Sequence, residues 1–123
     1  MGIIQVAQHA EDLERAAKFY ADLLQQEPAA RFDQPGLVSF VLYGVRLLLE
    51  REAPSSLIYL SVPDVWSRIE ELRAAGVEIV GEPASIFRHA DARLGQAGAD
   101  EWMAFVCDSE GNTVGLVSQY AGL

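Results

Sequence analysis

Gln5, Ala7 and His9 alternate along one apolar run, so in a strand they share a face. A histidine there could touch a ligand or act as a general base, because imidazole changes charge near neutral pH. The preferred reading is plainer: His9 is a solvated histidine at the strand's outer end, near Asp12. A second group, Arg88, His89, Asp91 and Arg93, lies in a segment without clear period. It could be a lid carrying a cation to an anionic ligand, but a solvated loop of mixed charge is favoured. Cys107 lies at a predicted strand end with no basic neighbour in sequence to lower its pKa, so it reads as a packed thiol. There is no Ser-His-Asp order, phosphate loop or zinc spacing. No residue is assigned a catalytic role.

The aromatic side chains Phe40, Tyr43, Tyr59, Phe87, Trp102 and Phe105 are mostly explained by core packing. Trp102 stands apart because it begins a strand directly after the irregular segment 81–100. Strand parity groups it with Ala104 and Val106, and sets Met103 and Phe105 opposite. The small Ala104 leaves room for a ring to stack on Trp102, so Trp102 and Ala104 are expected to line a ligand cavity. Trp66 is assigned to helix packing or a dimer contact, and Glu70-Glu71 to a solvated helix face.

These residues are carried by a two-part repeat. Ile3 to Ala7 lead to Asp12 and a helical stripe of Leu13, Ala16, Ala17, Tyr20, Leu23 and Leu24. Asp12 is a good N-cap, and Pro28 is expected to end the helix. Leu37–Tyr43 and Val45–Glu50 read as a hairpin about Gly44, after a short strand in 29–33. Ala53 to Ser56 has the composition of a linker. Leu57 to Val62 then lead to Asp64 and a helix with Val65, Ile69 and Leu72 inward, closed by Gly76. A short strand, 77–80, precedes the irregular segment, which is long enough to suggest a functional loop. Glu101–Cys107 and Asn112–Gln119 close the chain as a hairpin. The repeat predicts a duplicated βαβββ module.

At 123 residues, half of them apolar, the chain is expected to be one ordered domain: module 1 over 1–52, a linker over 53–56 and module 2 over 57–123. A net charge of −9 argues against nucleic-acid and anionic-membrane partners, which require basic patches. No run is long enough for a spanning helix, and one cysteine suits a cytoplasmic location.

The stretch Asp12 to Ala16 with Phe19 to Leu24, and the ending Phe105 to Asn112, resemble the vicinal oxygen chelate superfamily. That superfamily includes glyoxalase I, methylmalonyl-CoA epimerase, extradiol dioxygenases and bleomycin-resistance proteins. Gln25-Gln26 stands where its usual glycine follows the helix, and Ser109 where it has proline. The resemblance implies an α+β fold of two βαβββ modules whose sheets curl around a cavity faced by Gln5, Ala7 and His9. Its enzymes hold a divalent metal with one ligand from each of four strands. Those positions fall on Gln5, Leu47, Leu57 and Gly115, and only Gln5 can donate from its side chain. Glu50 lies on the opposite strand face from Leu47.

The expectation is therefore a member without metal or other cofactor, binding or sequestering an apolar or aromatic molecule such as an antibiotic, in a cavity lined by Gln5, Ala7, Phe40, Leu47, Leu57, Tyr59, Trp102, Ala104 and Gly115. A homodimer is expected, since the family usually completes its cavity by pairing modules. The alternative is a glyoxalase- or epimerase-like lyase or isomerase, or a dioxygenase, using a non-standard site or metal-free chemistry at Gln5, His9 or His89.

Overall fold

The computed structural model describes residues 2–34, 36–109 and 111–121. The elements run β1 (Ile3–His9), α1 (Leu13–Leu24), β2 (Ala30–Phe32), β3 (Leu37–Leu42), β4 (Val45–Glu50), β5 (Leu57–Ser61), α2 (Val65–Ala74), β6 (Ile79–Arg88), β7 (Ala99–Cys107) and β8 (Thr113–Ala121). This is the α+β, twice-repeated βαβββ order. Contacts divide the chain into two units, Gln5–Leu57 and Met1–Ile4 with Ile58–Leu123, called modules 1 and 2 below.

In module 1 the strands are ordered β2-β3-β4-β1, with β1 parallel to β4 and the other pairs antiparallel. Tyr43 (φ 50°) and Gly44 (φ 85°) form the two-residue turn between β3 and β4. Both are left-handed, as the twist of the flanking strands favours. The Asp12 carboxylate accepts from Arg15 N–H at 3.0 Å and caps α1. What ends α1 is Gln25, left-handed at φ 56°, rather than Pro28. Glycine would be less strained there. Helix α1 covers one sheet face, packing Leu13 and Ala17 on Val38, Phe40 and Leu49, with Leu47 at the edge of the cluster.

Module 2 repeats this with the order β5-β8-β7-β6. Asp64 caps α2, accepting from Trp66 N–H at 3.1 Å. Gly76 follows α2 at φ 87°. A left-handed glycine at that place is what the sequence predicted. Val65 and Ile69 of α2 pack on Ala104, Val106 and Leu116. The irregular segment is shorter than expected. β6 continues to Arg88 and β7 starts at Ala99, leaving only 89–98 without strand. Register shifts between Ile79 and Gly81, Gly81 and Ala84, and Ser85 and Phe87 break the two-residue alternation, which hid the strand.

Candidate functional site

Strand parity gives each module a face that its helix does not cover. In module 1, α1 takes Val38, Phe40, Leu47 and Leu49, so the other face carries Ser39, Arg46, Leu48 and Glu50. Parallel pairing of Gln5 with Arg46, Ala7 with Leu48 and His9 with Glu50 extends that face across β1. Gln5 (4% exposed), Ser39 (1%) and Arg46 (3%) are buried polar residues here. Half-burial and the neighbouring Glu52 carboxylate raise the Glu50 pKa. His9 is exposed, as the plainer reading had it.

Two predicted lining residues of module 1 are corrected. Phe40 and Leu47 pair with each other and lie under α1. The run Leu47-Leu48-Leu49 has no internal period, and a one-residue slip moves a side chain to the other face. The uncovered positions next to Leu47 are Arg46 and Leu48. Gln5 and Ala7 keep the predicted side, and Leu57 is buried at the start of β5.

In module 2 the uncovered face carries Tyr59, Gly115 and Phe105, aligned across β5, β8 and β7. The Tyr59 and Phe105 rings meet edge to face, with centroids 5.8 Å apart. That is a preferred geometry for an aromatic pair. A Cβ on Gly115 would stand 2.7 Å from Tyr59 Cδ2 and 3.2 Å from Phe105 Cε1, so only glycine lets both rings lie there. Trp102 and Ala104 are corrected to the helix face. Trp102 lies 5.5 Å from Trp66 of α2 and 6.5 Å from Tyr120, and Ala104 is in the core beneath α2. The space beside Ala104 is filled by the helix, so Met103 and Phe105 take over the open-face role.

One pair on the uncovered face of module 2 went unrecognised in the sequence. His89 Nε2 and Glu101 Oε1 are 2.9 Å apart, with side chains 1% and 0% exposed. Gln119 Nε2 donates to the same oxygen at 3.2 Å. A carboxylate this deep requires charge-assisted partners. With Glu101 ionised, the His89 Nε2–H is the donor. Segment 89–98 folds back on the pair: Gln96 N–H donates to Gln119 Oε1 at 3.3 Å, and a Cβ on Gly95 would come 2.7 Å from His89 Cε1. His89 is thus buried rather than solvated. Arg88, at the end of β6, is bidentate to Asp100 of β7 at 2.8 and 3.1 Å, and in the solvated loop Arg93 pairs with Asp91. A histidine held by a carboxylate can hold and pass a proton. The hairpin pairing that brings residues 89 and 101 together is nonlocal, and composition gives no sign of it.

The donor set does not fit a metal of the superfamily's kind. Gln5, Leu57 and Gly115, with Leu47 or either neighbour in β4, supply one neutral amide and no carboxylate or imidazole. Among the described residues no three His, Cys, Asp or Glu side chains are grouped to hold an ion.

The sequence pattern of the Glyoxalase/Bleomycin resistance protein/Dioxygenase superfamily matches residues 2–114. The chain belongs to this superfamily. No curated protein matches the sequence significantly. Among solved structures, a Streptomyces coelicolor methylmalonyl-CoA epimerase variant is 16% identical with TM-score 0.68, over 96% of this chain and 94% of its own. A superfamily member from Vibrio splendidus 12B01 is 18% identical with TM-score 0.62, over 92% and 94%. A Mn(II)-bound glyoxalase from Novosphingobium aromaticivorans is 20% identical with TM-score 0.65, over 98% of this chain and 40% of that one. At these identities the likeness establishes the fold, and the site must speak for the chemistry. No described helix is long and apolar enough to cross a membrane.

Proposed function

We propose that this superfamily member binds a small apolar or aromatic molecule, such as an antibiotic, without a metal ion, and sequesters it. The observation that carries this is the Tyr59–Gly115–Phe105 row. Where the superfamily's enzymes place a metal-binding side chain, this chain has a glycine with two aromatic rings closing over it. Rings and aliphatic residues with a few polar groups suit a flat apolar ligand. A homodimer in the cytoplasm is part of the proposal. Phe19 and Leu23, one turn apart on α1, are 60% and 62% exposed. Apolar surface of this kind is what a partner covers.

Native mass spectrometry against an aromatic small-molecule and antibiotic library tests the binding, with metal content measured on the untagged protein. One ligand per chain and substoichiometric metal are expected. Tyr59→Ala or Phe105→Ala should weaken that ligand by about 1–3 kcal/mol, the scale of a lost buried aromatic contact. About one tightly held Zn, Ni, Mn or Fe per chain would refute the metal-free reading, because such a site needs three or four donors. Light scattering giving a monomer mass would remove the dimer.

The buried His89–Glu101 pair favours a second reading, a metal-free lyase or isomerase that uses this pair for proton transfer. Solvent deuterium entering a bound carbonyl compound, and lost in Glu101→Gln, would favour it over sequestration.

A further inference from the structure

We propose that the outer face of α1 is a self-pairing surface, on which two copies of the chain meet as antiparallel helices about a two-fold axis at Phe19. The proposal rests on the dimer reading above and names the surface that makes the dimer.

The spacing along α1 sets this face. Leu13, Ala17, Tyr20 and Leu24 form the stripe turned onto the sheet. Arg15, Phe19 and Asp22 stand on the opposite side, four and three residues apart, flanked by Lys18 and Leu23. All five are exposed. One exposed apolar residue is ordinary, but Phe19 and Leu23 are neighbours on the helix surface. Nor is the Phe19 ring loosely held. It lies edge to face with Tyr20, centroids 5.4 Å apart, and Tyr20 lies 6.4 Å from Phe40 in the core. A large ring braced by the core yet turned to solvent has little ordering cost left to meet when a partner covers it.

The order of charges selects a second copy as that partner. Arg15 lies about 6 Å from Phe19 toward the start of the helix, and Asp22 about 4.5 Å toward its end. Turning a copy of α1 end over end about Phe19 brings Arg15 of each chain to within about 1.5 Å, along the axis, of Asp22 of the other. Two Phe19 rings then meet at the centre, with an Arg15–Asp22 pair on either side. This is the self-complementary pattern that a two-fold axis demands, and an aromatic centre inside a polar rim is the usual anatomy of an interface. A parallel pairing would set Arg15 against Arg15 and Asp22 against Asp22, so the charges specify orientation too. Within the chain they are only weakly engaged. Arg15–Asp12 is 3.9 Å and Lys18–Asp22 is 3.6 Å, between side chains at least half exposed. Such pairs contribute little and exchange partners readily.

Sedimentation equilibrium on the full chain and four variants tests this. The parent should be a dimer at micromolar concentration. Phe19→Ala should weaken it about a hundredfold, since each interface loses two central rings. Arg15→Asp and Asp22→Arg each set like charges across the axis and should weaken it about tenfold at low salt. The double variant R15D/D22R should return to within about threefold of the parent, because the pairs re-form with their signs exchanged. Both changes suit the helix dipole, an acid in the first turn and a base in the last, so folding is preserved, and thermal melts check it. A dimer that Phe19→Ala leaves intact, or charge variants that do not compensate each other, would overturn this surface while the dimer reading stands. A monomeric parent overturns both. Binding of that monomer to phosphatidylcholine vesicles, lost in Phe19→Ala, would give the patch to a lipid surface instead.

Discussion

The two modules carry the same row of the same fold and fill it with different chemistry. In module 1 the row across the uncovered face is Ala7, Leu48, Ser39 and Ala30. In module 2 the matching row is Tyr59, Gly115, Phe105 and Gly81. One is small, aliphatic and hydroxylated, next to Gln5 and Arg46. The other alternates rings with glycines, next to the Glu101–His89 pair. The two modules share the strand register and differ in the side chains it places. The polar groups differ in kind as well. On the uncovered face of module 2 the His89–Glu101–Gln119 group is satisfied within its own hairpins, and the unpartnered Trp102 Nε1 lies on the helix face, whereas the uncovered face of module 1 buries a hydroxyl without a partner. The comparison therefore predicts that polar substitutions in module 2 are costly to stability and that the corresponding change in module 1 is not.

The largest effect is expected at Glu101. Glu101→Ala leaves the buried His89 and the half-buried Gln119 without their acceptor, and should cost about 3–5 kcal/mol in a urea melt. A loss below about 1 kcal/mol would mean that the pair is not closed in solution. Trp102 sharpens the comparison on the helix side, where it packs against Trp66 and Tyr120. Trp102→Ala should cost about 2–3 kcal/mol of stability through that lost packing, while ligand affinity is unchanged. Lost affinity at unchanged stability would return Trp102 to the ligand. Gly115→Ala forces a methyl against Tyr59 and Phe105. It should cost about 1–3 kcal/mol by overpacking. A neutral result would show that the two rings move freely.

Much of the fold was legible because caps, turns and periods are local. Asp12, Asp64, Gly44 and Gly76 each mark a boundary through chemistry within a few residues. β6 beyond residue 80 was missed because bulges destroy the alternation by which strands are recognised. The site was harder to read for three separate reasons. Leu47 was displaced by one residue in a leucine run, and one residue changes the face. Each face of β7 carries one acidic residue, Asp100 or Glu101, and is otherwise mostly apolar, so sequence could not decide whether Trp102 or Met103 lay beneath α2. His89 sits among Gly, Ala and Asp, yet its burial is set by Glu101 twelve residues away across a hairpin.

A smaller effect is expected at the start of α2. The Tyr120 hydroxyl donates to Asp64 Oδ1 at 2.5 Å, and this bond leads the causes that hold the Asp64 pKa below the ordinary carboxylate range. A depressed carboxylate pKa contributes stability that is full above the ordinary range and is lost as pH falls through the depressed value. Tyr120→Phe should raise the Asp64 midpoint in a ¹³C NMR titration and move the acid limb of unfolding to higher pH. An unchanged midpoint would assign the depression to Ser67 and the α2 backbone instead.

The smallest effect is expected at Ser39, and there the size is the point. Its hydroxyl is buried with no hydrogen-bond partner, so Ser39→Ala removes a polar atom that makes no bond. The lost bonding term is zero and a desolvation cost is relieved, while the space left is smaller than a methyl group. The variant should fall within about 0.5 kcal/mol of the parent or be more stable, opposite in sense to Glu101→Ala. A urea melt on both variants checks the pair. If Ser39→Ala costs more than about 1 kcal/mol, the hydroxyl has a partner within the folded chain. Module 1 would then be as closed as module 2, and the contrast between the two faces would disappear.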